Sequence, residues 1–266
     1  MAKPHGRKEM YYIFSPFLRI FHWVMFGTVM VLFATGLYIG DPAFGALPGR
    51  EPTFVVGDLF SMETVRKVHF IAAALLLVSL IIRVYGFIIN RGDRLFPHFW
   101  KKSFWSDMWY QFKHYLMVPS DEERIFLRNP LARTSYTLVY VMLFLLALTG
   151  LAMYSQINPN TPLAFIFNPI NGFLTEYGSH YIHHILAWLV ILFAIIHVYM
   201  VWRAERTERN GELSSMLSGV KFFDELPKDF GDIANEESEV VVAETTEGEK
   251  VLVEPIREPL DAEARS

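Results

Sequence analysis

The chain has 266 residues, of which 52% are hydrophobic and 15% aromatic, more than an average soluble domain carries, so lipid is the expected solvent for much of it. Its formal charge of −4 hides a segregation, with bases crowding the first two thirds and acids the end, and no nucleic-acid partner is expected. The absence of cysteine excludes a disulfide, a thiolate-held iron–sulfur cluster and a covalently attached c-type haem, which leaves histidine or methionine to ligate any redox centre.

Lys3, Arg7 and Lys8 open the chain in the manner of a signal peptide, but the apolar run behind them is longer than an h-region and lacks a cleavage site, so it is expected to be retained. Four stretches are long enough to cross about 30 Å of hydrocarbon at about 1.5 Å per residue: Pro16 to Ile39, Thr64 to Ile89, Arg133 to Tyr154 and His180 to Trp202. Lipid offers no partner for backbone amides, and these runs lack the two-residue alternation of a barrel. The expected fold class is therefore all-α, an integral membrane four-helix bundle over 1–204.

Bases precede the first span, fill the second connection (Arg91, Arg94, Lys101, Lys102, Lys113, Arg124, Arg128) and follow the fourth span (Arg203, Arg206, Arg209). The other connections hold only Arg50, Arg66 and Lys67. The positive-inside rule then puts both termini and the second loop in the cytoplasm. Within that loop, HFWKKSFWSDMWYQFKHYLM interleaves aromatics and lysines like a helix lying along the headgroups. Residues 205–266 turn acidic and read as a partly disordered cytoplasmic tail. An internal echo, ATGLY at Ala34 to Tyr38 and LTGLAMY at Leu148 to Tyr154, places a glycine near the outer end of two helices, where it would admit a flat ligand or a neighbouring helix.

Four histidines fall inside the spans, where ionisable side chains are expensive and usually functional: His22, His69, His183 and His197. In the orientation above, His22 and His197 share the cytoplasmic depth, and His69 and His183 the outer one. Helical geometry separates His183 from its neighbour His184. Fourteen residues, His183 to His197, return to within about 40° of one face and climb about 21 Å, whereas thirteen leave the rings about 140° apart. Two depth-matched pairs fit two stacked haems, since iron accepts axial imidazoles and a bis-histidine site transfers electrons without binding substrate. The competing reading is that each histidine merely hydrogen-bonds between helices. His5, His98, His114 and His180 lie in tails, loops or interfaces.

Arg19, Arg66, Arg83 and Arg133 stand near the haem depths, to pair with propionates or to snorkel to headgroups. Trp23, Phe70, Trp188 and Tyr199 are aromatics that line either a haem or a packing face. Asn129 and Tyr199, with His197, lie on the cytoplasmic side as hydrogen-bonding candidates for a quinone carbonyl, or serve capping and packing.

RIFHW (19–23), TGL (35–37), RKVHF (66–70), RNPLARTSY (128–136), LTGLAMY, HHILAW (183–188), HVY (197–199) and SSMLSGVKFF (214–223) resemble the b-type cytochrome subunit of membrane-bound nickel–iron hydrogenases. Formate dehydrogenase gamma subunits are more distant relatives, and the resemblance runs from about Phe14 to Phe223. It implies two haem b groups, His69 with His183 for the outer and His22 with His197 for the inner. It further implies electron delivery from the iron–sulfur small subunit, beside the nickel–iron large subunit, to quinone in a prokaryotic cytoplasmic membrane. No catalytic residue of its own is expected. The alternatives are a cytochrome subunit of another quinone-linked enzyme, such as formate dehydrogenase or thiosulfate reductase, and a haem-free membrane anchor.

Overall fold

The computed structural model describes residues 9–40, 61–89, 96–116, 118, 124–126, 129–157, 159–223 and 242–244. Four of its helices have the length and composition to cross a membrane: α1 (Pro16–Gly40), α2 (Met62–Ile89), α4 (Pro130–Ile157) and α6 (Glu176–Thr207). The expected all-α bundle of four spans is therefore present. A polar side chain caps the start of each of these helices. Ser15 accepts from the Leu18 amide at 3.1 Å, Ser61 from Thr64 at 3.2 Å, Asn129 from Leu131 at 2.9 Å and Thr175 from Gly178 at 3.1 Å.

Between the spans lie α3 (Lys102–Tyr115), in the segment expected to lie along the headgroups, and α5 (Pro162–Leu174). In sequence α5 falls within the connection between the third and fourth spans. Thr161 caps it, accepting from Ala164 at 3.3 Å, and at 13 residues it is too short to span. After α6 come α7 (Glu212–Ser218) and β2 (Val220–Phe223), so the first part of the expected tail is ordered secondary structure. β1 (Glu9–Tyr12) is the central strand of a small antiparallel sheet, flanked by β2 and β3 (Val242–Glu244). The rest of the acidic run, the loop at 41–60 with Arg50, and Arg91, Arg94 and Arg128 lie outside the described residues.

The chain divides into two compact units. One comprises Phe21–Tyr85 and Val139–Ile196, and the other Met1–Ile20, Gly86–Leu138 and His197–Ser266. The first is a four-helix packing unit. Leu76, Met142, Leu143 and Val190 form its buried centre, with Met25, Val29 and Leu32 of α1, Leu80 of α2, Val139 and Leu146 of α4, and Leu186 and Phe193 of α6 packed around it. The three-and-four residue steps in these positions keep each contributing face inward. Most of each apolar window faces outward, between 6% and 28% of it being buried, a distribution that water would not tolerate and lipid does. Between such helices close packing and hydrogen bonds, not expulsion of water, hold the bundle together.

The second unit is polar at its joints. Arg124 pairs with Asp107 at 2.8 Å and lies over the Tyr110 ring at 5.0 Å. Glu205 accepts from the Leu213 amide at 2.9 Å, capping α7, whose own N-cap is Gly211. Asn129 accepts from two amides at the start of α4 and donates to Tyr115 Oη at 2.6 Å, and burial pushes the Tyr115 phenol up, keeping it protonated. Loss of such a cap typically costs about 1 kcal/mol, so Asn129→Ala is expected to lower the thermal midpoint of the detergent-solubilised chain, and Asn129→Asp, which keeps the accepting oxygen, to lower it less.

Candidate functional site

Two histidines of the four-helix unit are held in the same way. His69 on α2 meets Thr35 of α1, Nδ1 to Oγ1, at 2.8 Å, and His183 on α6 meets Thr149 of α4 at 2.9 Å. Each threonine also donates to the carbonyl one turn back in its own helix, Thr35 to Val31 at 2.7 Å and Thr149 to Leu145 at 2.8 Å. The glycine after each threonine leaves space for the ring. A Cβ at Gly36 would meet His69 Cε1 at 3.6 Å, and one at Gly150 would meet His183 Cε1 at 3.2 Å. Thus the TGL echo admits an imidazole edge. Both rings are partly buried. Among the described residues neither has a hydrogen-bond partner at Nε2.

The likeness extends along the chain. Thr35 precedes His69 by 34 residues, and Thr149 precedes His183 by 34. A single offset, 183 minus 69 or 114 residues, relates these two sets, and it also carries Ser15 to Asn129, Arg19 to Arg133, Gly36 to Gly150 and the cap Ser61 to the cap Thr175. The α1–α2 and α4–α6 pairs are thus two copies of one helical hairpin pattern. Sequence reasoning saw the echo but missed the threonine partners, although the matched 34-residue intervals were there to be read.

His22, in the same unit, is partly buried and meets the Trp23 ring edge-on at 5.2 Å. His197, partly buried in the other unit, meets the Tyr136 ring edge-on at 6.0 Å. His184 is exposed, accepts from Trp188 Nε1 at 3.2 Å and lies beside Gly40 of α1, where an added Cβ would meet its Cε1 at 3.6 Å. Arg83 is buried, donates to Tyr140 Oη at 3.3 Å and lies over the Phe21 and Tyr140 rings. Arg133 is buried and donates to the Phe96 carbonyl at 2.6 Å, and Arg19 donates to the Leu217 carbonyl. Arg66 is exposed. Phe70 packs edge-on against Tyr154 at 5.2 Å, and Trp188 against Phe33 at 5.3 Å. Of the quinone candidates, Tyr199 is exposed, while Asn129 is engaged at both ends of its amide in the cap described above.

Four spanning helices, three of which display imidazoles, define a multi-pass membrane helix bundle whose side-chain chemistry suits iron ligation. The chain belongs to the prokaryotic cytochrome b561 family, whose profile matches residues 13–219, and that membership implies haem b. Among curated relatives, it is 30% identical over 236 residues to the probable Ni/Fe-hydrogenase 1 B-type cytochrome subunit of Escherichia coli K12, covering 85% of this chain and 95% of the relative. It is 28% identical over 232 residues to the probable Ni/Fe-hydrogenase B-type cytochrome subunit of Rhizobium leguminosarum, covering 84% and 95%. The protein of that same name from Cupriavidus necator is 27% identical over 219 residues, covering 80% and 87%.

Proposed function

We propose that the chain is the di-haem cytochrome b membrane subunit of a nickel–iron hydrogenase, carrying electrons from the outward-facing iron–sulfur small subunit across the membrane to quinone. The observation that carries this reading is the matched pair His69 and His183, each tied at Nδ1 to a threonine and left with Nε2 as the nitrogen able to take iron. Among the described residues no three His, Cys, Asp or Glu side chains converge. The pair His69 and His183 offers two imidazoles, the number a bis-histidine haem would take from the protein.

His69 and His183 are assigned to the outer haem, and His22 and His197, from their depth in the sequence, to the inner one. Bound at these positions, the haems supply one-electron carriers at two depths of the bilayer. The protein's part is to fix the imidazoles, exclude water with the surrounding apolar side chains and offer hydrogen bonds to quinone. Tyr199, exposed two residues beyond His197, is the assigned quinone contact, with the remaining amide hydrogen of Asn129 as the second. With both termini cytoplasmic, quinone reduction draws protons from inside while hydrogen oxidation releases them outside, so the geometry makes the reaction electrogenic without a pump.

The partner enzyme is tested on native membranes. Addition of hydrogen is expected to reduce the b haems, and a tagged chain to copurify with an iron–sulfur and a nickel–iron subunit. Reduction by formate with no response to hydrogen assigns the chain to a formate dehydrogenase instead.

A further inference from the structure

The threonine contacts determine where the protons lie. Thr35 Oγ1 has one hydrogen and two acceptor sites, and lies 2.7 Å from the Val31 carbonyl and 2.8 Å from His69 Nδ1. Were Nδ1 unprotonated, two acceptors would compete for that hydrogen and one short contact would hold none. With a proton on Nδ1 every contact is satisfied: the threonine donates to the carbonyl and accepts from the ring. The same count holds at Thr149, between the Leu145 carbonyl at 2.8 Å and His183 Nδ1 at 2.9 Å.

We propose that Thr35 and Thr149 are paired positioning residues that hold His69 and His183 in the Nδ1–H tautomer, present Nε2 to iron and lower the potential of the outer haem. The inference rests on the di-haem reading above. An imidazole that donates from its far nitrogen is more basic at the near one, which strengthens its bond to iron and favours the oxidised, more positively charged state. The two copies of the hairpin supply one such threonine to each axial ligand, so the outer haem would receive the effect from both sides.

The test is potentiometric titration of the purified, haem-loaded full chain, with haem quantified on the same samples. Thr35→Val and Thr149→Val are expected to shift one of the two midpoints positive, the double variant to shift it further, and the other midpoint to stay in place. Thr35→Ser and Thr149→Ser, which restore the accepting hydroxyl, are expected to return it toward wild type. Loss of one haem in the Val variants, recovered in the Ser variants, supports the same assignment. Val variants with both haems and both midpoints unchanged overturn it, as does loss of haem in Val and Ser variants alike, which would mark a packing role. Failure of the underlying reading is seen separately, as a wild-type chain lacking two haems or a His69→Ala chain that retains them.

Discussion

A chain carrying His69→Ala is expected to hold one haem b in place of two, and adding His183→Ala is expected to remove nothing more. The reason lies in how the two rings are held. Both are tied at Nδ1 to threonines of neighbouring helices in the same packing unit, and the proposed outer haem takes both as ligands, so its retention depends on both. Residues that act as a unit fail together, and their losses do not add. His184→Ala is the internal control. It removes an imidazole from the neighbouring position, but one that is exposed and bonded to Trp188, so both haems should remain. Haem per chain, measured after extraction from purified variants, reads the result. Two independent partial losses in His69→Ala and His183→Ala that add in the double variant would separate the histidines into different sites.

The second large effect is expected at Gly150. A Cβ there would sit 3.2 Å from His183 Cε1, tighter than ordinary contact, and any larger side chain must displace the ring from Thr149. Gly150→Leu is therefore expected to lose the haem ligated by His183 while the chain still inserts, and Gly150→Ala to show a partial loss. At Gly36 the corresponding distance is 3.6 Å, ordinary van der Waals separation, so Gly36→Ala should be tolerated. Gly27 has no heavy atom within 4 Å of an added Cβ, and Gly27→Ala should bind haem fully while gaining about 1 kcal/mol of helix propensity. The graded order Gly27, Gly36, Gly150 in haem content distinguishes crowding of the imidazole from a general intolerance of alanine in these helices.

Much of the bundle was legible because lipid imposes a strong constraint: a span must be helical, apolar and about 20 residues long. The helix ends were less so. α4 and α6 start at Pro130 and Glu176, ahead of the residues where apolar patterning begins, because Asn129 and Thr175 cap them from outside it. The step from His183 to His197 favours His183 over His184 on sequence alone, and His184 is exposed, bonded to Trp188 and beside Gly40 of α1. What the sequence did not yield was long-range pairing. β1 meets β2 across the length of the chain, and two four-residue strands carry too little alternation to announce themselves. The threonines were missed for a related reason. A hydroxyl in an apolar helix usually bonds its own backbone, as Thr35 and Thr149 do, and only the packed structure shows the second partner.

The most direct test of the account is a dithionite-reduced minus oxidised spectrum of the purified full chain, with haem quantified. The account predicts a b-type spectrum and two haems per chain. A correctly inserted chain without haem would contradict it, and would return the four intramembrane histidines to the role of helix-packing groups in a membrane anchor.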